Sequence, residues 1–103
     1  MRRGPQISQG LALVLPFALK RGHVMIFMAA LLNLADLLIT GNGLFVMVRV
    51  CLARRIRAGI GEIETEFADA IAGLRLVPRS GPVSCELWLY SRHGTLRHFR
   101  IED

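Results

Sequence analysis

The chain has 103 residues and a formal net charge of +5 at neutral pH, and 52% of its residues are hydrophobic. This length allows one small domain, or a membrane anchor with a small folded portion, and excludes a multidomain architecture. Two cysteines exclude a disulfide framework. Most aliphatic runs precede residue 54, whereas nearly all acidic residues follow residue 61. We therefore predict two parts, an apolar membrane-associated segment over residues 1–55 and a folded part over 56–103.

The first apolar run, Leu11–Leu19, contains a central proline, Pro16. Nine residues are too few to cross a bilayer as a helix, which needs about 20 residues. The run suits a buried strand at a sheet edge, where Pro16 need not donate a hydrogen bond, or an interfacial membrane segment. Because the basic residues after the run do not form a small-x-small cleavage site, we expect no cleaved signal peptide.

The segment Val24–Ile39 is rich in methionine, alanine and leucine and contains no glycine or proline, which predicts a helix. Its polar residues Asn33 and Asp36 share one narrow face with Thr40. A helix that is apolar on nearly all sides needs lipid or a partner subunit around it. This pattern predicts an apolar, membrane-inserted helical segment.

The run that follows the turn at residues 40–43, Leu44–Leu52, is rich in β-branched residues. It suits either a buried strand or the second half of a membrane-spanning helix. In the second case Asp36 would lie in lipid, where a carboxylate needs a partner, and Arg49 is the mate we predict for an intramembrane pair.

An apolar stripe with spacings of three and four residues predicts an amphipathic helix that ends before Pro78. It can pack on the following hairpin, and we predict that it also binds a larger protein partner. Its members are Ile56, Ile60, Ile63, Phe67, Ile71 and Leu74.

The C-terminal residues alternate between apolar and polar over Ser84–Tyr90, turn at 91–94 and continue over Leu96–Ile101, which predicts a β-hairpin. Its open edge is a second predicted partner-binding feature. Cations flank the apolar stretch and surround the hairpin, where Trp88, Tyr90 and Phe99 add aromatic rings. We predict anion or phosphate binding by Arg54, Arg55, Arg57, Arg92, Arg97 and Arg100.

Two hypotheses follow for the whole chain. The first is a small α+β membrane-associated accessory or assembly protein, in which an apolar helical segment precedes an amphipathic helix and a hairpin. The alternative is a soluble α/β protein of order β-α-β-α-β-β that forms a homo-oligomer and binds nucleic acid through the basic hairpin. The sequence contains no CxxC or HExxH spacing and no glycine-rich phosphate loop, so we expect no enzyme activity, metal or cofactor.

Overall fold

The structure, a computed structural model, describes residues 3–27, 35–77 and 81–102, with side chains from residue 10 onward. Within these ranges the chain is a small α+β fold with three helices and a five-stranded mixed sheet of order β1-β2-β3-β4-β5. The strands β3 and β4 are parallel, and the other neighbours are antiparallel. The elements are α1 Arg3–Arg21, β1 His23–Ile26, β2 Leu37–Gly41, β3 Leu44–Leu52, α2 Ile60–Glu66, α3 Ala68–Arg75, β4 Val83–Tyr90 and β5 Leu96–Arg100.

The first apolar run is not an edge strand, because it lies inside helix α1. Leu11, Val14 and Ala18 are buried, and their spacing of three and four residues places them on one face of the helix. Pro16 lies within α1 on the exposed side. The buried face therefore determines the conformation of this run despite the helix-breaking tendency of proline.

The predicted helix over Val24–Ile39 is wrong at both of its described ends. Residues 23–26 and 37–41 are strands, and they pair with each other in the antiparallel direction, with Val24 opposite Ile39. The central part of the prediction, which includes Asn33, lies outside the described residues. Leu37 and Ile39 are buried under α1, so a strand pattern with a period of two replaces the expected helical period.

The run Leu44–Leu52 is strand β3, which lies between β2 and β4. A central strand that is covered on both faces reads as a continuous apolar run, and this explains its resemblance to a membrane segment. The turn at Asn42 and Gly43, with φ values of 53° and 76°, joins β2 to β3 as a tight two-residue hairpin.

Within residues 3–27, 35–77 and 81–102, no helix has both the length and the apolar character needed to cross a membrane. The predictions of a transmembrane helix and of a membrane-inserted segment are therefore wrong. The described residues of 24–52 belong largely to three strands of one sheet, and Leu37, Ile39 and Val48 are buried under α1.

Two helical layers cover the two faces of the sheet. Helix α1 packs on one face, where Val14, Val48 and Trp88 form part of the core. Helices α2 and α3 pack on the other face, where Leu74 and Leu87 are completely buried. Strands from both sides of residue 55 belong to this one sheet, so both predicted parts of the chain contribute to the same fold.

Candidate functional site

The parallel pairing of β3 with β4 makes both strands end at the same edge of the sheet. Leu52 lies opposite Tyr90, and the backbone N–H of Ala53 donates to the carbonyl of Tyr90 at 2.8 Å. The loop at residues 53–59 and the turn at 91–95 therefore leave the sheet side by side. Ligands of α/β sheets bind characteristically outside the carboxyl ends of parallel strands.

Four exposed arginines lie on these two adjacent connections. Three belong to the loop after β3 and one to the turn after β4, and these segments are almost forty positions apart in the sequence. We call this group the arginine edge; it comprises Arg54, Arg55, Arg57 and Arg92.

A cavity of about 220 Å³ lies between the two connections, lined by Leu52, Ala53, Arg54, Ser91, Arg92 and His93. The buried Ser91 shapes its wall, because its hydroxyl oxygen accepts hydrogen bonds from the N–H groups of His93 (3.2 Å) and Thr95 (3.1 Å). The turn is thus held by its own side chain. Arg54 and Arg92 line the same concave surface from opposite connections.

Arg97 does not belong to the arginine edge, because its guanidinium makes structural contacts with the backbone. Its guanidinium donates to the carbonyls of Ile56 and Ala58, both at 2.8 Å, and lies 4.8 Å from the ring centre of Phe99. These bonds fix the arginine-bearing loop to β5. Arg97 therefore positions the loop.

Arg100 lies away from the arginine edge, opposite Glu86 in the sheet register, and pairs with the exposed Glu102 at 3.4 Å. Arg55 is 3.5 Å from the carboxylate of Glu62, and both side chains are exposed. Exposed pairs of this kind contribute about 0–1 kcal/mol. Glu62 thus leaves the guanidinium of Arg55 largely accessible to an anion.

Asp36 and Arg49 are brought together where β2 begins beside β3. The Asp36 Oδ1 atom is 3.5 Å from a guanidinium nitrogen of Arg49, and its Oδ2 atom accepts the N–H of Val50 at 2.7 Å. The pair lies within the sheet and not in an intramembrane helix, which corrects the environment that the sequence suggested. Burial raises the pKa of the nearby Cys51 thiol to about 11, although the charge of Arg49 lowers it. The thiol therefore stays protonated at neutral pH and is a poor nucleophile.

The predicted partner-binding stripe packs mainly against the sheet. Ile63, Ile71 and Leu74 are buried in the core, and Ile56 and Phe67 pack partly against it. The remaining member, Ile60, is 60% exposed. Of the six residues, Ile60 thus offers a partner the largest fraction of its surface.

One polar cluster was missed at the level of sequence. Glu86 is buried on the α1 face of β4, and both of its oxygens accept hydrogen bonds from Arg21, at 2.8 and 2.9 Å. The indole N–H of Trp88 donates to the same carboxylate at 2.8 Å. The alternation of Glu86 with Trp88 indicates that they share a face, but Arg21 is 65 positions away and no local pattern connects it.

Competing effects set the pKa of Glu86 below its ordinary value. Burial raises it, but the hydrogen bonds from Arg21 and Trp88 and the charges of Arg21 and His98 lower it by more in total. Trp88 itself is 1% exposed, so its ring is not available for base stacking. The aromatic surface expected around the hairpin is therefore not formed by this residue.

The part of the chain that the structure describes contains no group of three or more histidine, cysteine, aspartate or glutamate side chains placed to hold a metal ion. Comparisons with models of protein families, with curated proteins and with solved structures found no match. The geometry of the arginine edge is thus the basis for a functional proposal.

Proposed function

We propose that the chain binds nucleic acid through the phosphate backbone at the arginine edge. The observation that supports this proposal is the parallel β3–β4 pair, which places Arg54 and Arg92 from two distant segments on the wall of one cavity, with Arg55 and Arg57 exposed on the same loop as Arg54. Arginine presents a planar fork of donors that matches two phosphate oxygens. The net charge of +5 attracts a polyanion from a distance.

The chemistry of the edge favours contacts with the backbone over contacts with bases. Sequence-tolerant binding of single strands relies on exposed aromatic rings, and Trp88 is buried under α1. Phosphate contacts orient a protein on a duplex but carry no direct sequence information. We therefore expect duplex binding that depends strongly on salt and weakly on sequence.

The test is a titration of a fluorescent DNA duplex, followed by anisotropy at several salt concentrations. Replacing Arg54 and Arg92 together by alanine should reduce the slope of log K against log salt by about 2, because each lost phosphate contact removes about one unit. Arg100→Ala is the matched control for a lost positive charge, since Arg100 lies away from the edge.

The proposal predicts that Arg100→Ala has a much smaller effect than either Arg54→Ala or Arg92→Ala alone. Equal losses for all three single variants would show that net charge, and not this edge, controls binding. Absence of duplex binding at low salt by the unsubstituted chain would refute the proposal directly.

A further inference from the structure

Strand β1 is the outermost strand on one side of the sheet in the part of the chain that the structure describes. The two-residue turn makes Gly41 and Leu44 a hydrogen-bonded pair, and such pairs alternate along an antiparallel ladder. Leu38 and Thr40 of β2 therefore direct their backbone groups away from β3 and toward β1.

The same alternation fixes the orientation of β1. His23 and Met25 lie opposite Thr40 and Leu38, so they exchange hydrogen bonds with β2. Val24 and Ile26, which lie between and after them, direct their N–H and C=O groups away from the sheet. These outward groups form an edge that can accept another strand.

The side chains of β1 differ in charge from those of β5, the strand at the opposite side of the sheet. Residues 23–26 carry no lysine, arginine, aspartate or glutamate, and Met25 and Ile26 are 60% and 44% exposed. The strand at the other side, β5, carries Arg97 and Arg100. Charged residues protect an edge from pairing with another chain, and β1 lacks that protection.

We propose that β1 pairs in the antiparallel direction with β1 of a second copy of this chain, with Met25 of one copy opposite Met25 of the other. Residues that face each other across an antiparallel pair lie on the same side of the sheet. This register therefore places Val24 opposite Ile26 on the α1 side and the two methionines together on the other side.

A second copy fits this edge better than a charged partner does. A two-fold axis through Met25 brings apolar side chains together on both faces and places no like charges opposite each other within residues 23–26. The outward groups of Val24 and Ile26 then exchange hydrogen bonds across the axis. The arginine edge lies at the ends of β3 and β4 and takes no part in the contact, so this inference is independent of the proposed function.

The register can be tested by cysteine crosslinking in the full chain. Opposed residues that do not exchange hydrogen bonds have Cα atoms about 4.5 Å apart, within the range of a disulfide. Met25→Cys should therefore form a covalent dimer under mild oxidation, and reductant should reverse it. Val24→Cys should crosslink far more slowly, because the two copies of that residue do not face each other.

The unsubstituted chain is the control for the native thiols, since Cys85 is buried and Cys51 is half-buried with a raised pKa. Joint substitution of Val24 and Ile26 by cysteine should restore crosslinking, because this register places them opposite each other. Faster crosslinking of Val24→Cys than of Met25→Cys would overturn the proposal. The proposal would also be overturned if Met25→Cys formed no more covalent dimer than the unsubstituted chain.

A second measurement does not depend on a disulfide. Met25→Arg places like charges across the proposed axis and should shift sedimentation from dimer to monomer. Leu76→Arg adds the same charge at a residue that is 74% exposed in another part of the fold, and it should leave the dimer intact. A monomeric unsubstituted chain, or a dimer that survives Met25→Arg, would overturn the inference.

Discussion

Replacing Arg21 with methionine removes the cation that faces the buried carboxylate of Glu86. The two side chains share a bidentate contact of 2.8 and 2.9 Å between the C-terminal end of α1 and the middle of β4. After the substitution the indole of Trp88 remains as a donor to the carboxylate. Methionine keeps part of the apolar stem, so the change isolates the loss of the guanidinium.

The size of the effect follows from the burial of the two side chains. Removing one partner of a fully buried pair costs about 3–5 kcal/mol. Here the Glu86 side chain is 11% exposed but the Arg21 side chain is 39% exposed, so water weakens the interaction. We therefore expect a loss of about 2 kcal/mol in the free energy of unfolding, or roughly 10 °C in Tm.

The loss of stability in Arg21→Met should also depend on pH. In the unsubstituted chain the pKa of Glu86 lies below its ordinary 4.5. The stabilisation of the fold by ionised Glu86 is therefore present above pH 4.5 and is lost as the pH falls through the folded-state pKa. Without Arg21, burial still raises the pKa of Glu86 and only Trp88 and His98 lower it, so this pKa should rise relative to that of the unsubstituted chain. The stabilisation by ionised Glu86 at neutral pH should therefore decrease, and the difference between the two chains should disappear as the pH falls through the folded-state pKa of Glu86.

Urea unfolding followed by the fluorescence of Trp88, the single tryptophan, measures this difference at pH 7 and near pH 4.5. The stability gap between Arg21→Met and the unsubstituted chain should be largest at pH 7 and should shrink in acid. Lys20→Met is the matched control, since Lys20 is the adjacent exposed cation. A gap that is independent of pH, or an equal loss in Lys20→Met, would refute the reasoning.

Three further predictions concern the backbone, the loop anchor and the thiol. Gly22→Ala should lower the free energy of unfolding by about 2 kcal/mol or more, because the added Cβ would overlap a backbone carbonyl of β2. Gly61→Ala is the control: its Cβ meets no atom within 4 Å, and it should stabilise α2 by about 0.5–1 kcal/mol. A loss of Tm in both variants would contradict this reasoning. Arg97→Met removes two hydrogen bonds to the 53–59 loop and should lower the free energy of unfolding by about 1–3 kcal/mol. Amide hydrogen exchange in that loop should become faster. Unchanged protection would show that Arg97 does not hold the loop in place. Cys51, with a pKa of about 11 against an ordinary 9.0, should react with iodoacetamide about 100-fold more slowly than an ordinary thiol at pH 7, and rapid labelling would exclude the raised pKa.

The sequence by itself determined the elements whose signal is local. The alternation over residues 84–90 identified strand β4, and the turn after it identified the hairpin with β5. The apolar spacing over 56–74 identified a helical region. The structure begins it at Ile60, so Ile56 lies in the preceding loop, and divides it into α2 and α3 at Phe67. Each of these signals depends on residues a few positions apart, where side-chain period reports directly on backbone conformation.

Only the tertiary structure decided the environment of the apolar stretch. A helix in lipid and a strand covered on both faces are both apolar throughout, so composition does not distinguish them. The conformation of β3 depends on its parallel pairing with β4, in which Phe45 lies opposite Val83. The arginine edge arises from that same pairing, because strand contacts between distant segments bring together Arg54 and Arg92, which no local period connects.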